Sequence, residues 1–174
     1  LDADTERNLV ASCKNGDKAA YAGLVHAYAG RVFAICFGML GNRCDAEDMA
    51  QQTLLQGFTQ IRRLRDSRRF GPWIARIARN LCLDAIRARR HTTTALPAVE
   101  DDRATDAEQQ RQLEGALAGL SSDYRVPLLL FYFDGRSTQS IAEMLGITQA
   151  AVQTRLSRAR KQLRRLLAER GDEK

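Results

Sequence analysis

Residues 137 to 160 read STQSIAEMLGITQAAVQTRLSRAR, and their spacing predicts two short helices set at an angle around a tight turn. Ile141, Ala142 and Leu145 give the first helix a buried face, Gly146 supplies the turn, Ile147 fills the angle between the helices, and Thr148 caps the second. Ala142 is small enough to let the two helices approach. The cap aims Gln149, Gln153, Thr154 and Ser157 at base edges in a major groove, and it leaves Arg155, Arg158 and Arg160 within reach of phosphates. An ordinary helical hairpin with a solvated basic face shares the apolar spacing. The turn glycine, the cap and the flanking basic run favour DNA reading.

Working outward, apolar residues recur at helical spacing nearly everywhere, and sustained alternation at period two is absent. Tyr21, Leu24, Val25 and Tyr28 form one series; Val32, Ile35, Cys36, Met39 and Leu40 a second; Ala50, Leu54, Phe58 and Ile61 a third. After the Gly41-Asn42 break, Asp45 is placed to cap a helix, with Asp48 in its first turn. Pro72 suits a first helical position ahead of Trp73, Ile74, Ile77, Ala78, Leu81 and Ala85. Four helices fit residues 4 to 90 and about four more the second half. The expected fold is all-α: two small helical modules, residues 1–90 and 113–174, joined by a flexible acidic linker over 91–112. Within it, residues 91 to 108, HTTTALPAVEDDRATDAE, carry few large apolar residues and no helical period.

Charge supports the same division. The net charge is +6, but its distribution is more telling than its sum. Residues 62 to 90 hold ten arginines against Asp66 and Asp84, and residues 153 to 170 hold seven basic residues against Glu169. Between them, residues 99 to 114 carry six acidic residues against Arg103 and Arg111. Two basic blocks around an acidic spacer suit two contacts with a polyanion joined by a tether. Cys13, Cys36, Cys44 and Cys82 form no CxxC pair, and His26 and His91 stand at no ligand-like spacing from them, so no metal and no cofactor is expected. Buried thiols in a reducing cytosol are the simpler reading, with Cys44 the one thiol placed to sense oxidation. No stretch is expected to cross a membrane, LDADTERN lacks the basic and apolar parts of a signal peptide, and the protein is assigned to the cytoplasm. Asp45, Glu47 and Asp48 are the only dense carboxylate cluster. With no paired histidine or Gly-rich phosphate loop beside them, an enzyme is not expected.

The first module has a chemistry of its own, because its basic block is interleaved with Phe70, Trp73 and Asn80. Aromatics stack on unpaired bases, arginines hold the backbone, and an amide hydrogen-bonds a splayed base. That combination suits single-stranded or opened DNA. Phe70, Trp73 and Ile77 also fit a helical apolar stripe, so core packing is the competing reading for the aromatics.

Tyr28, Arg31-Val32-Phe33, Leu40-Gly41-Asn42, Asp45-Ala46-Glu47-Asp48, Gln51 and Trp73-Ile74-Ala75-Arg76-Ile77-Ala78-Arg79-Asn80 resemble, in order and spacing, region 2 of the extracytoplasmic-function (ECF) sigma factors of bacteria. Leu120 to Leu130, Gly135, Ser137, Ile141-Ala142, Leu145-Gly146-Ile147, Val152 and Arg155-Leu156-Ser157-Arg158-Ala159-Arg160 resemble region 4 of the same family. The resemblance implies a factor that directs core RNA polymerase to promoters and helps melt them. It implies contacts from Asp45, Glu47, Asp48, Gln51 and Gln52 to the clamp helices of the largest polymerase subunit, and a second polymerase contact at the flap region. Arg62, Arg63, Arg69, Phe70, Trp73, Arg76, Arg79 and Asn80 are implied in opening the minus-ten element and holding a flipped base. Thr148, Gln149, Gln153, Thr154, Arg155, Ser157, Arg158 and Arg160 are implied in reading the minus-thirty-five element. The resemblance also implies restraint by an anti-sigma factor. A free-standing helix-turn-helix regulator is the alternative, and it leaves the module around Trp73 without a role.

Overall fold

The computed structural model describes residues 1–91 and 106–171. They form α1 (Ala3–Lys14), α2 (Lys18–Leu40), α3 (Arg43–Gln60), two single 3-10 turns (Ile61–Arg63 and Ser67–Arg69), α4 (Phe70–His91), α5 (Asp106–Ala118), α6 (Ser122–Tyr132), α7 (Thr138–Leu145) and α8 (Gln149–Gly171). No strand occurs among the described residues. The helix starts follow from local chemistry. Asp2 accepts from Thr5 N at 2.9 Å, and Asp17 accepts from Ala19 N at 2.8 Å, each satisfying a backbone donor that the helix itself leaves orphaned.

Three sequence expectations about helix starts need correction. Asp45 does not cap α3; Asn42 does, accepting from Asp45 N at 3.0 Å, so Asp45 is a carboxylate inside the first turn. Asparagine and aspartate serve equally well there, and the break itself puts Asn42 at the boundary. α4 starts at Phe70, which makes Pro72 its third residue. That position is tolerated because the first four N–H groups of a helix have no partner within it. Finally, α5 begins at Asp106, inside the stretch assigned to the linker. Its first seven residues, DAEQQRQ, are helix formers with acidic groups at the favourable end of the dipole, but they carry no apolar period to reveal them. Linker residues 92–105 lie outside the described residues.

α2 organises the first module and packs against α1, α3, α4 and α6. Leu24, Val32, Ile35 and Cys36 are buried along it. Being covered on several sides, the helix carries almost no polar face. By length and composition its 23 residues, with mean hydropathy 1.4 over the most apolar stretch, are enough to cross a membrane, contrary to the sequence expectation that no stretch approaches a span. The packing gives the apolar character a simpler cause: α2 is a core helix. In the second module α6, α7 and α8 close around Leu130, Ile141, Val152 and Leu156, all at most 2% exposed. The modules touch directly, α2 against α6 and α4 against α7.

Candidate nucleic-acid and protein interfaces

The angle between α7 and α8 is built as the sequence requires. Ser137 accepts from Ser140 N at 3.2 Å to begin α7. Gly146 takes φ +68°, a left-handed conformation in which a Cβ would be strained, and ends the helix. Thr148 Oγ1 accepts from Ala151 N at 3.2 Å to begin α8. Ile141, Ala142 and Leu145 are buried, and Ile147 is half-buried between the helices. This leaves Thr148, Gln149, Gln153, Thr154, Ser157 and Arg158 exposed. Gln149 Nε2 donates to Thr138 Oγ1 at 2.9 Å, which fixes the amide at the start of the face. Two arginines assigned to the same surface are engaged elsewhere. Arg155 pairs with Asp123 at 3.3 Å, and Arg160 Nε donates to Leu156 O at 3.2 Å while its side chain lines an apolar groove. Lys161, exposed and three residues after Arg158, was expected only as part of the basic block, yet it lies on the side of α8 away from Val152, Leu156 and Ala159.

α4 divides its two aromatics. Phe70 is 1% exposed, with its ring edge-on to Tyr28 at 4.9 Å, so it is a core residue and not a stacking platform. The cause is phase: Phe70, Ile74, Ile77 and Ala78 form the inward stripe of an amphipathic helix. Trp73 is half-buried, its ring 5.7 Å from Phe70. It forms one wall of a cavity of about 480 Å3, together with Arg63, Arg65, Asp66, Arg69, Pro72 and Arg76. Asp66 is turned to its own loop: it accepts from Arg68 N at 3.0 Å, and that bond above all holds its carboxyl below the usual range. Arg76, which also lines the cavity, and Asn80 are exposed on α4, and Arg62 is exposed in the 3-10 turn before it, beside the lining residue Arg63. Arg79 instead donates from Nη1 to Leu145 O of the helix-turn-helix at 3.2 Å.

On α3, Asp48, Gln51 and Gln52 are exposed at helical spacing. Leu55, 67% exposed, and Phe58 continue the surface; Leu55 had no place among the residues expected here, although an apolar residue directly after Leu54, and so off its face, was a signal. Asp45 forms an ion pair with Arg89 of α4, and Glu47 pairs with Arg43 at 3.0 Å. Arg43 also reaches Glu114 of α5 at 3.4 Å. A second cavity, about 680 Å3, runs between α2, α5, α6 and α8. Phe33, Phe37, Leu117 and Leu129 line it, with Arg43, Arg160 and Arg164 among its few polar residues. Tyr132 and Phe133, both more than 60% exposed, stand in its lining. No cluster of metal-ligating side chains occurs among the described residues, and all four cysteines are free, Cys44 alone exposed.

Residues 24–92 match Sigma-70 region 2, and residues 110–163 match Sigma-70, region 4. The RNA polymerase sigma factor CarQ of Myxococcus xanthus is 32% identical over 163 residues, covering 90% of this chain and 94% of CarQ. The chain belongs to the ECF RNA polymerase sigma factors. The probable RNA polymerase sigma factor RfaY of Xanthomonas campestris pv. campestris is 34% identical over 90% of this sigma factor, which spans only 42% of RfaY's length. Two solved structures share the fold. CnrH in complex with the cytosolic domain of CnrY superposes with a TM-score of 0.73 at 23% identity, covering 95% of this chain and 98% of that one. The sigma factor RpoE in complex with the anti-sigma factor NepR from Bartonella quintana superposes at 0.70 and 22% identity, covering 85% and 96%.

Proposed function

We propose that this sigma factor binds core RNA polymerase, carries it to specific promoters and promotes melting of the DNA, with no covalent chemistry of its own. The observation that carries the reading is the pairing of two different nucleic-acid surfaces on one chain. One is a capped helix that presents Gln149, Gln153, Thr154, Ser157 and Arg158 outward, suited to base edges and phosphates of a duplex. The other is a cavity walled by Trp73 and ringed by arginines, suited to a base taken out of the stack. A free-standing regulator has use for the first and none for the second.

In this reading the α8 face recognises the minus-thirty-five element, with Arg155 and Arg160 at its margins. Arg62, Arg63, Arg69, Trp73, Arg76, Arg79 and Asn80 hold the opened minus-ten element, and Phe70 supports Trp73 from behind. Asp48, Gln51, Gln52 and Leu55 meet the clamp helices of the polymerase, with Asp45 and Glu47 at the edge of the contact, and the second module meets the flap region. The factor works in the cytoplasm with its polymerase. RpoE of Bartonella quintana was solved with an anti-sigma factor, and a similar partner fits the 680 Å3 groove of this chain, where an acidic amphipathic helix finds an apolar floor and arginines beside it.

The test is transcription by purified core polymerase on genomic fragments, with wild type, Asp48→Arg and Arg158→Glu. Defined starts that need the wild-type chain and are abolished or sharply weakened by each substitution support the proposal. A chain that binds duplex DNA specifically without binding core polymerase, and yields no start, overturns it in favour of the free-standing regulator.

A further inference from the structure

Helix α1 lies ahead of the segment that matches Sigma-70 region 2, residues 24–92, and it carries none of the surfaces described above. It packs nevertheless against the segment that lines the smaller cavity. Val10 and Cys13 are buried on α1, which rests on α2 and on both 3-10 turns between α3 and α4. Residues 61 to 69 carry Arg62, Arg63, Arg65, Arg68 and Arg69 against Asp66 alone, so the segment repels itself, with Ile61 and Leu64 as its buried anchors. Arg63, Arg65 and Arg69 stand in the lining of the cavity beside Trp73. Lys14, half-buried in the last turn of α1, donates from Nζ to Ser67 Oγ at 3.3 Å and so ties down the second turn at its first residue.

The other end of α1 reaches the Trp73 wall from behind. Tyr28, 3% exposed, donates its hydroxyl proton to Glu6 Oε2. Phe70 meets the Tyr28 ring edge-on at 4.9 Å, and a Cβ on Gly71 would lie 3.1 Å from Tyr28 Oη, so the ring sits directly beneath the first turn of α4. The Arg31 guanidinium, ion-paired with Asp134 at 2.8 Å, lies 4.1 Å from the centroid of the same ring. Phe70 in turn backs Trp73 at 5.7 Å. Glu6, Tyr28, Phe70 and Trp73 are thus a continuous line of contacts. A buried hydroxyl that loses its acceptor seeks another, and here the ring that carries it has to shift under α4 to find one.

We infer that α1 is a brace of the promoter-opening cavity, in which Glu6, through Tyr28 and Phe70, fixes the Trp73 wall and Lys14, through Ser67, fixes the arginine-bearing rim. Both are positioning residues, since neither lines the cavity. This role rests on the proposed function for what the cavity receives. A stacking platform that is already held when the base arrives spares the complex the ordering of that side chain, which would otherwise be subtracted from affinity. The brace therefore acts on the opened strand and not on the duplex, which α8 reads from the other module.

Glu6→Ala, Glu6→Gln and Lys14→Met are compared in the full chain with Trp73→Ala and with Asp4→Ala, which removes an exposed ion pair to Arg7 on the same helix. Fluorescence polarisation with the assembled polymerase reads a single-stranded non-template oligonucleotide and, separately, a duplex carrying the minus-thirty-five element. Glu6→Ala and Lys14→Met are expected to weaken single-strand binding about two- to tenfold while duplex binding stays within about twofold. Glu6→Gln, whose amide oxygen still accepts from Tyr28, and Asp4→Ala should match the wild type. Trp73 is the only tryptophan, so acrylamide quenching of its emission in the free chain reads the wall without DNA. Quenching should rise in Glu6→Ala and return to the wild-type value in Glu6→Gln. If Glu6→Ala also lowers the urea midpoint, Lys14→Met, at the opposite end of α1, decides. Strand affinity unchanged in both α1 variants while Trp73→Ala weakens it, or strand and duplex affinities that fall together, overturns the inference and leaves the promoter reading in place. No weakening by Trp73→Ala removes that reading itself.

Discussion

Phe70 and Trp73 stand three residues apart on α4 and should fail in different ways. Phe70 is 1% exposed between Tyr28 and Trp73. Truncation to alanine would cost about 3–5 kcal/mol of stability, a large share of the ~5–15 kcal/mol a domain has, so Phe70→Leu, at about 1–1.5 kcal/mol, is the useful variant. Trp73 is half-buried at the cavity wall, and Trp73→Ala should cost stability by only about 1–2 kcal/mol. Its larger effect is on opened DNA, where an aromatic platform contributes about 1–3 kcal/mol per stacked base, or roughly five- to 150-fold in affinity. Urea denaturation followed by circular dichroism gives the first quantity, and fluorescence polarisation of a single-stranded non-template oligonucleotide with the assembled polymerase gives the second. Trp73 is the only tryptophan in the chain, so quenching of its emission on binding the strand reports this wall directly. Strand affinity within twofold of wild type for Trp73→Ala, or lost affinity at an unchanged urea midpoint for Phe70→Leu, refutes the division.

Three further outcomes are expected. Arg125→Met removes one donor group from three carbonyls and should cost about 2–4 kcal/mol, lowering the urea midpoint by about 1–2 M; a shift under about 0.3 M would show that the carbonyls find other donors. Arg158→Ala should weaken binding to the minus-thirty-five duplex and reduce the log-affinity against log-salt slope by about 1, since a phosphate contact releases counterions; an unchanged slope would place Arg158 off the DNA. Burial holds the hydroxyls of Tyr21 and Tyr28 well above the usual tyrosine value, and the bond from Tyr28 to Glu6 adds to the effect. Because the folded values are raised, this stability is complete below pH about 10 and is lost as pH rises beyond it, by up to about 1.4 kcal/mol per pH unit for each ring. Tyr28→Phe should roughly halve that alkaline slope in urea titrations.

What the sequence revealed and what it hid divide by range. The helix-turn-helix was legible because its signals are local: a cap at Thr148, a left-handed glycine at position 146, and apolar residues at helical spacing. Phe70 was misassigned because its phase depends on where α4 begins, and Pro72 pointed to a start two residues late. The contact between modules gave no local signal, since Arg31, Arg125 and Asp134 look like ordinary surface charges until helices distant in sequence come together. One hint was present. α2 carries apolar residues all round, more than the first module alone needs, and a helix without a polar face is one with neighbours on every side.

That same helix shapes how the protein is made. α2 leaves the ribosome as 23 residues with the length and composition of a membrane span, while α6, which covers part of it, begins at Ser122. At ~5–20 residues per second, the roughly 80 residues in between take about 4–16 s to synthesise. During that interval α1, α3 and α4 can shield three sides, but the strip around Gly38 stays bare, a ready target for chaperones or targeting factors that bind apolar nascent chains. Synthesis of this sigma factor thus passes through a window in which a helix bound for the core stands partly uncovered, and variants that slow the docking of α6 should reduce yield even when the finished fold tolerates them.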